Sequence, residues 1–358
     1  MKTLGVGIIG LHHLHPVDYL PHFEAIPGTE VRAIAEADDA YRNRVCGETG
    51  IRGYADDRDL LARGDIDLVV IFLPHADCPE AAVRAAEAGK HVIVEKPMAA
   101  TSAGIRRMAA AAQKAGVCLS APYCWRNHPA SRQIKRLVDS GALGKALALE
   151  ARMSAGSPGR YTADGISPWI LEKAPAGGGP MHNLGTHWID FFRWMLQDEV
   201  EAASGMISHD QHGLEVEDNS FALLRFRGGA TAMLDISYSV PAEYPAGRDI
   251  FVALRGANGT VSWSPAWGGT ADAVFVCSNQ PAYTDGPVQT LQINSRPAPG
   301  YGGVSGLAYL RETVAAIAAG RQPEITGLDG LRALEVVEAI YESASSGRTV
   351  TVAYAGVD

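Results

Sequence analysis

The chain has 358 residues, of which 47% are hydrophobic and 20% charged, and its formal net charge is −9. That length exceeds one ordinary core and predicts two domains. The acidic balance excludes a nucleic acid or an anionic membrane surface as partner, since both need a basic face, and no apolar stretch approaches the roughly 18 residues of a transmembrane helix.

The chain passes from "MKT" almost directly into a strand-like run, which leaves no room for a signal peptide and predicts a cytoplasmic protein. Cys46, Cys78, Cys118, Cys124 and Cys277 are odd in number and form no CxxC pair, so free thiols are expected rather than a disulfide frame.

The first 123 residues alternate strand-like and helix-like segments. "LGVGIIG" reads as a buried strand, followed by a helix from about His13 to Ile26 and a second strand at "VRAIAEA". "DLVVIFLP", "KHVIVEKP" and "GVCLSAPY" are further β-rich runs. The Ala-rich segments "CPEAAVRAAEAG" and "SAGIRRMAAAAQKAG" between them have helical period and end at glycine. Strand and helix in alternation predict a parallel, doubly wound sheet, an α/β Rossmann domain over residues 1–123.

From residue 124 the pattern changes. A helix is expected over 129–140, then strands at "KALALEARM", "SFALLRFRGG", "ATAMLDISYSV", "DIFVALRGANGTVSW" and "ADAVFVCS", with hairpin connections at "RGGA" and "GANGT". Helices return at about 305–319 and 328–346. Residues 124–358 therefore read as an α+β domain with a large, mostly antiparallel open sheet. Gly/Pro-rich stretches at 156–180 and 296–303 are expected to be loops over a site or an interface. Apolar residues on both faces of "SFALLRF" and "TAMLDISYSV" predict a homodimer or homotetramer formed through the sheet's open face.

The first turn, "GLHHLHP", stands where a dinucleotide fold carries G-x-G-x-x-G. Gly10 keeps the first glycine, whereas His12 and His15 replace the others. With Leu11 and His13 the turn admits four uses: a nucleotide site, a weakened one, a lost one, or a metal site of His12, His13 and His15 with His22. The expected answer is a dinucleotide site with a widened turn and no metal. In it the helix N-terminus after Pro16 stays open to an anion, and His15 packs between helix and sheet. Glu36 ends the second strand 26 residues after Gly10, where a carboxylate can accept hydrogen bonds from a ribose. Ala37 follows it, so NAD is expected rather than NADP.

Two further strings carry chemistry. Glu95-Lys96-Pro97 lies past the carboxyl end of a parallel strand, where open α/β sheets place their ligands. A lysine there has a depressed pKa and can donate a proton to a substrate oxygen. In "AGGGPMHNLGTHWIDFFRW", Asn183, His187 and Asp190 share one helical face, with His187 a candidate acid/base and Asn183 its orienter or a hydroxyl ligand. His182 and Trp188 read as packing.

These strings, with "GVGIIG", "IDLVVIFLP", "AGKHVIVEKPMA", "SGALGKALALEAR", "VEDNSFALLRF" and the closing "GLDGLRALEVVEAIYESASSGRTVTV", resemble the glucose–fructose oxidoreductase / inositol dehydrogenase / MocA (Gfo/Idh/MocA) family nearly end to end. The resemblance implies oxidation or reduction of a carbinol on a sugar- or polyol-like small molecule with NAD(P). It also implies that Lys96 and His187 are catalytic, and that Asn183 stands where many members have Asp. Glu95 and Pro97 complete the nicotinamide side, and Arg126 matches a position lining the crevice floor. Pro74 and His75 fall on the cofactor side. His75 replaces a usual Asn and Cys78 a usual His, so these departures, with His12 and His15, bear on cofactor affinity. The alternatives are glycoside cleavage by transient oxidation with retained NAD, and a non-catalytic ligand-binding relative.

Overall fold

The computed structural model describes residues 3–356 except 166, 210, 242, 245–246, 266–270 and 284–287. Ile166, in the expected loop at 156–180, thus lies outside the described residues.

The short apolar runs become strands β1 (Leu4–Ile9), β2 (Thr29–Ala35), β3 (Arg52–Tyr54), β4 (Leu68–Ile71), β5 (His91–Val94) and β6 (Leu119–Ser120). All pair in parallel, in the order β3-β2-β1-β4-β5-β6. Every residue of β4 is buried, as a strand covered on both faces must be. Between the strands lie helices α1 (Leu20–Glu24), α2 (Asp39–Thr49), α3 (Asp57–Leu61), α4 (Cys78–Glu87) and α5 (Ser102–Ala115). From β1 the chain winds outward through β2 and β3, and from β4 in the opposite direction. The carboxyl ends of β1 and β4 therefore flank the switch point at which such sheets bind ligands.

The expected helix from His13 to Ile26 is corrected. The chain makes a 3₁₀ turn at Val17–Tyr19 and then only the short α1. Prolines 16, 21 and 27 account for this: each removes an N–H, and each biases the residue before it away from the helix. The long helix N-terminus expected to receive an anion is therefore absent at this turn. The sequence reading also assigned nothing to α2, whose only buried residue is Val45 and which so carries no apolar stripe.

Past β6 come a 3₁₀ turn at Cys124–Asn127 and helix α6 (Pro129–Asp139). The second sheet follows, built of β7 (Ala146–Ala155), β8 (Val200–Ser208), β9 (Asn219–Phe226), β10 (Thr231–Ser237), β11 (Arg248–Gly256), β12 (Gly259–Trp263), β13 (Ala271–Ser278), β14 (Gln289–Asn294) and β15 (Val350–Thr351). Its order is β14-β13-β12-β11-β7-β10-β9-β8-β15, antiparallel at every pairing except β10 with β7. The hairpins at "RGGA" and "GANGT" join β9 to β10 and β11 to β12. Helices α7 (Pro158–Thr162), α8 (Lys173–Ala176), α9 (Thr186–Leu196), α10 (Gly303–Ala318) and α11 (Gly327–Ser346) complete the chain. Both α9 and α11 pack on one face of this sheet, and α11 also packs on α5 of the first sheet. The opposite face keeps apolar side chains exposed: Met206, Phe221, Leu223, Met233 and Phe275. Met206 pairs with Phe221, and Leu223 with Met233, across neighbouring strands.

Candidate active site

Gly10 leaves β1 with φ +84°, and a Cβ there would lie 3.0 Å from the backbone of Phe72. Only glycine makes this turn without moving the segment that follows β4. The next amide, Leu11 N–H, donates to Glu36 Oε2 at 2.6 Å, and Asp38 N–H donates to Oε1 at 2.9 Å. Glu36 thus ties the first turn to the end of β2 while staying beside it. Arg42, which the sequence reading passed over, donates to the Glu36 carbonyl oxygen at 2.6 Å and is paired with Asp39.

The three histidines of the turn diverge. His12 points to the β2 side, with Nε2 3.8 Å from Asp38 and 4.0 Å from Glu36, and its ring meets Tyr41 edge-on. Its carbonyl accepts a 2.8 Å bond from the indole N–H of Trp169. His13 is buried, and His15 stacks on Tyr301 with ring centroids 3.9 Å apart. His15 therefore faces the crevice rather than the helix–sheet joint, a correction that follows from the shortened helix. Burial holds the pKa of both His13 and His15 well below the usual value, with Lys96 adding to the effect. His22 bonds the Tyr301 carbonyl, so the four histidines do not converge on one point. Among the described residues no group of three metal-ligating side chains forms.

A crevice of about 470 Å³ opens at the switch point. His13, His15, Lys96, Asn183 and His187 line it together, although they come from both halves of the chain. Lys96 is 4% exposed, and its ammonium donates to Asn183 Oδ1 at 2.6 Å and to the Asn183 carbonyl at 3.0 Å. Burial brings its pKa down to about 8, with Arg160 and Arg248 pushing the same way against Glu95. The carboxyl of Glu95 is raised by burial and accepts from the Tyr19 hydroxyl at 3.2 Å.

Asn183 sits in a π-helical turn, Met181–Gly185, ahead of α9. Such turns are frequent at functional sites. Here the backbone passes so close to the segment before β9 that a Cβ on Gly179 would lie 2.4 Å from the Glu217 carbonyl oxygen. Glu217, which the sequence reading missed, accepts from the Gly179 and Met181 amides and from the Tyr341 hydroxyl. His187 is buried, with its pKa well below the usual value from desolvation and then from Lys96, so it stays neutral across the ordinary range. Its Nδ1 has no hydrogen-bond partner among the described residues.

Some expected site residues lie elsewhere. Arg126 is buried outside this crevice, bidentate to Asp190 and bonded to Asp329. Two carboxylates on α9 and α11 draw it away from the crevice floor, so that expectation is corrected. His75 gives its Nδ1 to the Ala176 carbonyl at 2.7 Å and packs edge-on to Trp169. Its ring is thereby committed to the loop from the second half. The Cys78 thiol donates to the Leu73 carbonyl. Half-buried Pro74 flanks His75, and Pro97 is buried beside Lys96.

The stretches at 156–180 and 296–303 line the crevice with Arg160, Tyr161, Arg296 and Tyr301, but the first is not all loop, since it carries α7 and α8. The signal was one arginine in each otherwise Gly/Pro/Ala-rich loop, with Arg248 at the start of β11 as a third.

The residues fit a dinucleotide at both ends. Gly10 and Glu36 shape the β1–β2 edge, and Lys96 with the partnerless His187 nitrogen faces the crevice at the other.

Comparison with known proteins agrees. Residues 3–123 match the family described as oxidoreductase family, NAD-binding Rossmann fold, and residues 131–262 match the GFO/IDH/MocA C-terminal domain. D-apiose dehydrogenase of Paraburkholderia graminis is 28% identical, covering 97% of this chain and 88% of its own. Inositol 2-dehydrogenase 2 of Saccharopolyspora erythraea is also 28% identical, over 98% of this chain and 94% of its own. The crystal structure of GenD2 from gentamicin A biosynthesis in complex with NAD is 26% identical, with a TM-score of 0.82 over 99% of this chain and 97% of that one.

Proposed function

The chain belongs to the Gfo/Idh/MocA family of oxidoreductases, and on that premise we propose that it oxidises or reduces a secondary carbinol of a sugar, cyclitol or related polyol, with Lys96 carrying the hydroxyl proton. The observation that carries this reading is a buried lysine, held by Asn183 and adjoining His187, at the switch point of an NAD-binding sheet. The relatives named D-apiose dehydrogenase and inositol 2-dehydrogenase 2 act, by those names, on a sugar and a cyclitol.

NAD supplies the hydride acceptor when bound. Glu36 and the Gly10–His15 turn would hold its adenosine and phosphate portions, and Glu95, Lys96 and Pro97 its nicotinamide end. The neutral amine of Lys96 takes the proton from the carbinol oxygen in oxidation, and its ammonium returns it in reduction. Neutral His187 directs that oxygen by a hydrogen bond, and the buried walls exclude water. Glu36 and Asp38, together at the end of β2, oppose a 2′-phosphate, so NAD is favoured over NADP.

The first 123 residues form the dinucleotide domain and residues 124–358 the substrate and assembly domain in this reading. The protein works in the cytoplasm, in keeping with its five free thiols. It assembles as a homodimer or homotetramer through the exposed cluster of Met206, Phe221, Leu223 and Met233, an apolar patch on a sheet face that a partner would cover.

The test is a panel of polyols with NAD and NADP, read by absorbance of the reduced cofactor, together with mass spectrometry of nucleotide carried through purification. Turnover of at least one polyol with NAD supports the reading. Failure to bind either dinucleotide would end it.

A further inference from the structure

The acceptors that the Lys96 ammonium finds among the described residues belong to one residue: they are the side-chain oxygen and the backbone carbonyl of Asn183. The place of the lysine therefore depends on what holds the π-helical turn at Met181–Gly185. That turn runs straight into α9, and its N-cap is Pro180, which offers no side-chain cap. The orphan amides of such an end need an acceptor from elsewhere. Glu217 supplies it from the segment before β9: Oε2 accepts from the Gly179 N–H at 2.9 Å, and Oε1 from the Met181 N–H at 3.2 Å. The Tyr341 hydroxyl of α11 donates to the same Oε1 at 2.7 Å, and the Ser220 hydroxyl at 3.3 Å. Glu217 is 3% exposed and forms no ion pair among the described residues. A buried carboxylate without a counter-ion is costly unless hydrogen bonds fill its lone pairs, and these donors fill them. The glycines at 177–179 make room for the arrangement. A Cβ on Gly178 would clash with the Tyr341 hydroxyl, and one on Gly179 would lie 2.8 Å from Glu217 Oε2. A Cβ on Gly177 would lie 2.6 Å from the carbonyl oxygen of Ala100, in the segment that follows Lys96, and the His182 ring bonds the Ala99 carbonyl at 3.0 Å. The turn is thus pinned between the lysine's own segment on one side and Glu217 with Tyr341 on the other.

Building on the reading of Lys96 as proton carrier, we propose that Glu217 is a positioning residue for the reaction: it caps the turn, Tyr341 fixes its carboxylate, and together they keep Asn183 against the Lys96 ammonium. A carboxylate that accepts backbone N–H bonds at a helix start is a charge-assisted cap. Its loss frees the Gly179 and Met181 amides, and with them the Gly179 carbonyl to which the Asn183 N–H donates at 2.9 Å. The ammonium then loses acceptors inside a buried site, and a hydrogen bond to the charged form is what favours that form. Lys96 therefore gives up its proton more easily without Glu217. The other groups that act on the lysine charge are Glu95, Cys124, Arg160 and Arg248. Lys96 acts in turn on the rings of His13, His15, His75, His182 and His187. Glu217 bonds none of these, and the groups it acts on are Tyr238 and Tyr341, so it reaches the lysine through the turn.

The experiment follows Lys96 itself. The purified wild type and its variants are pulse-labelled with acetic anhydride from about pH 6 to 10, and mass spectrometry of the peptide carrying Lys96 gives the midpoint of its deprotonation. No turnover is needed, so a failed polyol panel leaves this result standing. The wild-type midpoint is expected near 8. Glu217→Ala lowers it by about one unit, the scale of one hydrogen bond to a charged group. Tyr341→Phe keeps the carboxylate, decides the matter if Glu217→Ala does not fold, and lowers the midpoint by a smaller step. Glu217→Gln, which keeps an acceptor but no charge, restores part of what Glu217→Ala loses. On any polyol that is turned over, the oxidation limb of kcat/KM moves to lower pH by the same step, and NADH affinity stays within a few-fold. An unmoved midpoint in folded Glu217→Ala would overturn the proposal, as would, where that variant does not fold, an unmoved midpoint in both Tyr341→Phe and Glu217→Gln. A Glu217→Gln midpoint equal to that of Glu217→Ala, beside an unmoved Tyr341→Phe, would overturn it too, since the carboxylate would then act by its charge alone.

Discussion

The ammonium of Lys96 donates a 2.6 Å hydrogen bond to the side-chain oxygen of Asn183, and both residues are buried. Lysine has only donors, so the amide must turn its oxygen toward Nζ. Its nitrogen then donates to the hydroxyls of Tyr161 and Tyr238, each at 3.0 Å. Asn183 is thereby a positioning residue that fixes the lysine without neutralising it. That leaves burial and the neighbouring arginines to bring the lysine's pKa down to about 8.

The pH dependence follows with a definite sign. Oxidation needs the neutral amine, so kcat/KM for the alcohol is expected to rise with pH through an inflection near 8. Reduction needs the ammonium and falls through the same inflection. Lys96→Met removes the inflection and lowers kcat by on the order of 10²-fold or more, leaving NAD affinity within a few-fold. Near-full turnover by that variant would remove Lys96 from the mechanism.

Asn183→Asp places a carboxylate against the ammonium, and an opposite charge at that distance favours the charged lysine. The oxidation limb is expected to move to higher pH by about one unit or more. The two tyrosine hydroxyls can donate to the new carboxylate, so the fold survives. An unmoved limb, measured alongside the wild type, would show that Asn183 does not tune Lys96.

His187 is neutral because it is buried near Lys96. It should therefore contribute no inflection near pH 6.5 to kcat/KM. His187→Ala lowers kcat by about tenfold, the scale of one hydrogen bond to the reacting oxygen. A limb near 6.5 that vanishes in His187→Ala would instead make it a titrating acid/base.

Trp169 crosses from the second half of the chain to bond the His12 carbonyl, and its ring lies against His13 and His75. A dinucleotide laid along the carboxyl end of β1 would change that environment. The tryptophan fluorescence response to NADH should be largely lost in Trp169→Phe. His12→Gly should change NAD affinity by no more than about 1 kcal/mol, the scale of the one hydrogen bond its ring, beside Glu36 and Asp38, could add. A much larger loss would make His12 a direct ligand.

Leu223 is 61% exposed on the outer face of the second sheet, directly across from Met233. Leu223→Asp puts a charge in the centre of the proposed interface and is expected to yield monomers by light scattering. A wild type that is already monomeric at micromolar concentration would remove the interface.

The sequence by itself determined the alternating first half, the mostly antiparallel second half and the presence of Lys96, Asn183 and His187 in one site. Buried parallel strands appear as short apolar runs and their helices as Ala-rich periods, and both signals are complete within about 20 residues. The tertiary structure alone decided the partners. Asn183 meets Lys96 across 87 positions, Trp169 meets His12 across 157, and Arg126 reaches Asp329 across 203. No local period encodes such meetings. The same reason explains the correction at Arg126 and the partner that His75 finds. Each is a polar side chain whose burial must be compensated by hydrogen bonds, and the compensating groups, Asp190 with Asp329 and the Ala176 carbonyl, arrive from distant segments. Arg160, Arg248 and Arg296, scattered along the sequence, come to line one crevice only when the stretches at 156–180 and 296–303 and the start of β11 fold over the switch point.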